Sequence, residues 1–194
     1  MSHGHSHGPA AAPGPLPGTT EQFINLHSYL DVASSQVLNA DAKTSLRSIV
    51  GVQSGVLRSD SDVDCELLVV LNFREAVKLR GFALKATEAL CDDDALECSP
   101  VKTVKMFLNR PHMGFGECAS EAATESFVLS KEQLKGEEEI KLKFVKWQNV
   151  SSVTLFFPDN QDDAAVTFIN KLDFFGQPIA GFNMQELKKI EHDH

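Results

Sequence analysis

KLKFVKWQNVSSVTLFFPDNQDDAAVTFINKLDFFG, residues 141–176, is the most regularly patterned stretch of the chain. Val153, Leu155 and Phe157 alternate with Ser152, Thr154 and Phe156. Farther on, Val166, Phe168, Leu172 and Phe174 alternate with Thr167, Ile169, Lys171 and Asp173. A period of two sends successive side chains to opposite faces of a strand, so this pattern predicts two long core strands. Between them, Pro158-Asp159-Asn160 supplies turn chemistry: proline fixes φ and donates no hydrogen bond, while Asp and Asn tolerate turn geometry. The expectation is a core hairpin closed by an acidic turn.

Outward from this stretch the same period recurs. Leu67, Val69, Leu71 and Phe73 share one face and Leu68 and Val70 the other, which predicts a central strand covered on both sides. Arg74-Glu75-Ala76 permits a reversal into a second strand, Val77–Leu84, where Gly81 interrupts the alternation and marks a bulge. Val101–Leu108 reads as a further strand, ended by Asn109-Arg110-Pro111. Residues 119–135 are polar and poorly periodic, with one strand expected around Phe127-Val128-Leu129. Phe23–Leu38 reads as short helical and turn pieces across one end of the core. Asn183 suits the cap of a short helix whose Met184, Leu187 and Ile190 form one stripe. Many short strands and little helical periodicity give an all-β fold, an antiparallel β-sandwich or jelly roll with short helical pieces near both ends.

The chain divides accordingly. Residues 1–20, rich in His, Gly and Pro, carry little to bury and read as a disordered arm. Residues 21–182 form the sandwich, and 183–194 a short helix and flexible tail. With 194 residues, 42% of them hydrophobic, the chain suffices for one sizeable core, and thirteen Phe against one Trp and one Tyr make that core Phe-rich. The net charge of −9, without a basic stripe, argues against nucleic-acid backbones and anionic membranes as partners. No apolar run suits a membrane span or a signal-peptide core, so a soluble, intracellular protein is expected.

Chemistry-bearing residues are sparse. Cys65, Cys91, Cys98 and Cys118 form no C-x-x-C pair; reduced thiols are expected, although Cys91 and Cys98 are close enough to pair. His3, His5, His7 and His194 offer imidazoles to Zn²⁺, Ni²⁺ or Cu²⁺, with solvated termini as the plainer reading. Asp60, Asp62 and Asp64 alternate, but an EF-hand counted from Asp60 would place Cys65 and Leu71 where glycine and glutamate belong. The loop therefore reads as hydrogen-bonding its own backbone. His27 and His112 sit in no catalytic motif, there is no G-x-S-x-G elbow, and the acidic neighbours of Cys118 disfavour its thiolate. No catalytic residue, enzymatic activity or cofactor is expected. Trp147 reads as a core residue, with a sugar-stacking surface as the alternative. The terminal stretch carrying Asn183, Met184, Leu187, Ile190, His192 and His194 reads as a docking segment for a partner.

Six segments, taken in order, resemble the PITH domain. They are Leu30-Asp31 with Leu38-Asn39; Ser61-Asp62-Val63-Asp64-Cys65-Glu66-Leu67-Leu68; Val77-Lys78-Leu79; Asn109-x-Pro111-x-Met113-x-Phe115; Lys146-Trp147-Gln148-Asn149-Val150 with Val153-Thr154-Leu155; and Phe175-Gly176-Gln177-Pro178 with Asn183-Met184. The match spans residues 25–190. The resemblance implies a galactose-binding-like jelly roll, a non-enzymatic role, and association with the regulatory particle of the 26S proteasome in cytoplasm and nucleus. It also implies structural roles for Ser61, Asp62, Asp64, Asn109, Pro111, Trp147, Asn149 and Gly176. Members named for thioredoxin carry an N-terminal W-C-x-x-C domain. The segment before Glu21 is too short for one, so the chain resembles the standalone members, and a monomer is expected. A small-ligand or glycan-binding sandwich using Trp147 is the alternative function.

Overall fold

A computed structural model of the protein describes residues 23–51, 55–89 and 96–179. The tail and arm residues singled out above, Asn183, Met184, Leu187, Ile190, His192 and His194 and His3, His5 and His7, lie outside this set, as does Cys91. Among the described residues the strands are β1 (Ile24–Asn25), β2 (Gln36–Leu38), β3 (Leu57–Arg58), β4 (Leu67–Lys85), β5 (Cys98–Pro100), β6 (Thr103–Leu108), β7 (Glu125–Val128), β8 (Ile140–Lys141), β9 (Val150–Phe157), β10 (Val166–Ile169) and β11 (Lys171–Pro178). A short helix, α1 (Phe115–Ser120), follows β6.

Strands β1-β11-β4-β9-β6-β7 run in that order through an antiparallel sheet, and β2 and β8 also pair with β4. The opposing layer has the order β3-β10-β5, in which β10 and β5 are parallel. One core lies between the layers, joining Leu57, Phe168 and Ile169 to Leu67, Val69, Leu71, Phe82, Val104, Met106, Leu155, Leu172 and Phe174. The architecture is a galactose-binding-like β-sandwich.

The long strand β4 is the axis of the large sheet. β2 and β9 pair with its first half, and β8 and β11 with its second. The predicted reversal at Arg74-Glu75-Ala76 is absent. These residues include none of the usual turn formers Gly, Pro, Asn, Asp or Ser, so the extended chain continues and leaves Arg74 and Glu75 exposed. The register against β9 shifts between Asn72 and Val77 instead. The predicted irregularity at Gly81 is present: Phe175 pairs with Gly81 and Gly176 with Leu79, which leaves Arg80 as the extra residue of a bulge.

The predicted hairpin over 141–176 is corrected by the topology. β9 and β11 both pair with β4, and β10 belongs to the other layer. The alternation identifies faces, but Asn170 breaks the second strand where the chain crosses between layers. Its side-chain amide donates to Gly55 O (2.9 Å) and Glu88 O (2.7 Å) and accepts from the backbone N–H of Thr87 and Glu88. A buried polar side chain with this many backbone partners fixes a crossing that apolar patterning does not announce.

The outer face of the large sheet is covered as well. Leu68, Phe107 and Phe156 meet Met113 and Cys118 there in a second, smaller cluster. Cys118 is fully buried on α1, which packs on this face of the sheet.

Candidate functional site

The Asp60–Glu66 loop is built from short polar side chains that satisfy its own backbone. Asp60 Oδ1 accepts from Asp62 N at 3.0 Å, and Asp60 O accepts from Val63 N at 3.2 Å, closing a turn. Asn39 takes the left-handed conformation (φ 61°), which Asn tolerates better than most residues. Its amide donates to Asp64 Oδ1 (2.7 Å) and Glu66 O (2.7 Å), while Asp64 Oδ1 also accepts from Glu66 N (2.9 Å). Asp64 thus fastens the loop to the start of β4. The side chains of Ser61 and Asp62 make no hydrogen bond among the described residues and stand in solvent.

Beside this loop lies a cleft of about 380 Å³ bordered by Asp41, Lys43, Arg58, Asp60, Ser61 and Asp62. Arg58 is 5% exposed and its guanidinium donates to Asp41 Oδ2 at 2.8 Å. The backbone N–H of Lys43 and then this guanidinium hold the Asp41 carboxyl below its usual range. Burial, and then the charge of Asp64, raises Glu66. The cleft is predominantly acidic around one buried cation.

At the far end of β6, Asn109 (φ 53°) joins two strands. Its Oδ1 accepts from Ser151 N (2.8 Å) and Ser152 N (3.1 Å), and its amide donates to Asn149 O (2.9 Å). The Asn149 side chain itself is exposed. Pro111 follows in the loop that leads over Phe156, where Thr154 Oγ1 donates to Arg110 O at 2.7 Å. A shallow hollow of about 280 Å³ is lined here by Arg110, His112, Met113 and Glu117. Arg110 is paired with Glu121 beside it.

Trp147 is fully buried in the main core, and its indole N–H donates to Glu125 Oε2 at 2.9 Å. Glu125, 9% exposed, also accepts from Lys143 N at 3.0 Å. A fully buried indole has no face to offer a sugar, so the stacking surface proposed for Trp147 is absent. Gly176 lies where β11 meets the bulge of β4; any Cβ there would overlap the carbonyl oxygen of Lys78.

The two free thiols among the described residues are held away from ionisation. Burial, and then Glu117, pushes the Cys118 thiol up to about 11. Burial and Asp64 raise Cys65. Cys98 is disulfide-bonded, which corrects the expectation of reduced thiols at that position, while Cys65 and Cys118 are free. His27 and His112 are exposed and lie on separate elements. Among the described residues no three His, Cys, Asp or Glu side chains converge as metal ligands, and no helix is long and apolar enough to cross a membrane.

With this geometry in place, the comparisons with known proteins identify the class. The PITH domain family model matches residues 17–192, and the chain belongs to that family. It is 30% identical over 169 residues to PITH domain-containing protein 1 of Homo sapiens, covering 82% of this chain and 75% of the relative. It is 27% identical over 171 residues to Thioredoxin-like protein 1 of Schizosaccharomyces pombe, covering 87% of this chain; it spans only 57% of that relative's length. Among solved structures, the family 32 CBM from C. perfringens NanJ, in complex with galactose, aligns with a TM-score of 0.54. That alignment has 7% identity and covers 79% of this chain and 99% of the CBM, which makes it a likeness of fold.

Proposed function

We propose that this PITH domain is a non-enzymatic interaction module that associates with the regulatory particle of the 26S proteasome. Its sandwich loops and the segment Asn183–His194 make the contact. Family membership over residues 17–192 is the observation that carries this reading, since that association is what the family resemblance implies. The distribution of reactive groups suits it. The free thiol of Cys118 is buried with its pKa raised, and polar side chains at the loops serve mostly to shape backbone. The acidic surface favours partners whose docking face is basic, with association that slows as salt rises. The module acts as a monomer in cytoplasm and nucleus, without cofactor, nucleic-acid or membrane partner.

Cosedimentation of the purified chain with intact 26S proteasome on a glycerol gradient tests the reading. The chain should comigrate with the 26S peak, and deletion of residues 183–194 should weaken comigration. A chain that stays at the top of the gradient in the presence of saturating proteasome would remove the proposal.

A further inference from the structure

We propose that Ser61 is a phosphorylation site for an acidophilic serine/threonine kinase. Such kinases select acceptors by the charge pattern around them, favouring carboxylates downstream. Ser59 and Ser61 are equivalent by that criterion. Ser59 is followed by Asp60, Asp62 and Asp64 at +1, +3 and +5, and Ser61 by Asp62, Asp64 and Glu66 at the same offsets. The fold separates them. Ser59 is 1% exposed, its Oγ accepts from Thr167 N at 3.0 Å, and its own N–H donates to Thr167 O at 2.9 Å. Ser61 stands exposed in the turn, with its hydroxyl free of hydrogen bonds among the described residues. Ser28, the other serine with an acid at +3, has only Asp31, and that carboxylate is occupied by Ser34 Oγ at 2.7 Å.

The loop can also yield to a kinase groove without disturbing the core. Two contacts close the turn, Asp62 N to Asp60 Oδ1 and Val63 N to Asp60 O, and its one large apolar residue, Val63, is 67% exposed. In the reaction Ser61 Oγ attacks the γ-phosphorus of Mg-ATP as the bond from phosphorus to the ADP oxygen breaks. The hydroxyl proton leaves to the kinase's base, giving phosphoserine and ADP. The product adds nearly two negative charges to the wall of a cleft that also holds Lys43 and Arg58. It marks a motif position whose side chain the fold does not use. The site stands independently of the proteasome reading.

The test incubates the folded full-length chain with casein kinase 2 and Mg-ATP and maps phosphate by tandem mass spectrometry. Phosphate is expected on Ser61, with incorporation falling at least tenfold in Ser61→Ala and unchanged in Ser59→Ala. Asp62→Asn, at an exposed side chain with no hydrogen bond among the described residues, should slow incorporation several-fold while leaving Tm unchanged. A peptide spanning residues 56–68, free of the fold, should take phosphate on both serines. Incorporation at Ser59 or Ser28 in place of Ser61, an unaffected Ser61→Ala or Asp62→Asn variant, or an unmodified folded chain beside a modified peptide would each overturn the proposal.

Discussion

Glu125 carries more of the fold than its residue type suggests. It sits on β7, nearly buried, and serves two donors at once, the Trp147 indole and the Lys143 amide. Trp147 in turn removes on the order of 200 Å² from water, about 5 kcal/mol by area bookkeeping. Replacing Glu125 with Leu would leave the buried Trp147 indole N–H unpaired and deprive the Lys143 amide of its acceptor, and the expected cost is about 2–5 kcal/mol in urea unfolding. Glu132→Leu, at an exposed i,i+3 pair, should cost about 0.5 kcal/mol or less. Equal effects at the two positions would contradict this role for Glu125. Gly176→Ala forces a Cβ against the Lys78 carbonyl, and a loss of about 2–4 kcal/mol is expected from the backbone shift it demands. Cys118 supplies a pH signature. Its folded pKa of about 11 exceeds the unfolded 9.0, so between these values the unfolded chain releases its proton first. Stability is full below pH 9 and declines as pH rises toward 11, by up to about 2–3 kcal/mol. Cys118→Ala, compared with the parent chain, should flatten that decline. Of these residues, the burial of Trp147 is legible from sequence. Glu125 is not, because it lies in a polar, weakly periodic segment and its importance comes from partners 18 and 22 positions away.

At the scale of elements, alternation places the strands and their faces but not their neighbours. Phe156 and Leu68 are readable as pointing away from Val153, Leu155 and Leu67, and they do form the outer cluster. Pairing depends on connections, and two adjacent strands in sequence look like a hairpin until a residue such as Asn170 carries the chain to the other layer. The continuous β4 is missed for a related reason: Arg74-Glu75-Ala76, with two adjacent charges, resembles a turn locally, although it lacks turn residues. The six-residue α1 is too short to display a helical period. Because each half of β4 has strands on both sides, β2 and β9 near its start and β8 and β11 near its end, its amides from Leu67 to Leu71 and from Leu79 to Leu84 should be the last to exchange with deuterium. The two-residue β1 and the terminal strand β7 should exchange faster by at least about tenfold. Uniform protection across the sheet would contradict the axial role of β4.

For the whole molecule, the ordered set of motif segments identified the family, and the sandwich follows from it and from the strand pattern independently. The candidate site is less legible. Asp64 and Asn109 are recognisable as motif residues, yet only the folded structure reveals that each ties loop backbone, whereas the Ser61 side chain in the motif of Asp64 makes no hydrogen bond among the described residues. Function at this scale is a matter of surfaces that composition constrains only through charge. Crosslinking mass spectrometry on a native pull-down of the full-length chain is the decisive measurement for proteasome association. The expected result is enrichment of regulatory-particle subunits and crosslinks from the loop lysines and the 183–194 segment to a consistent set of them, both weakened by deleting that segment. Enrichment of lid and base subunits no greater than in a control pull-down would contradict it.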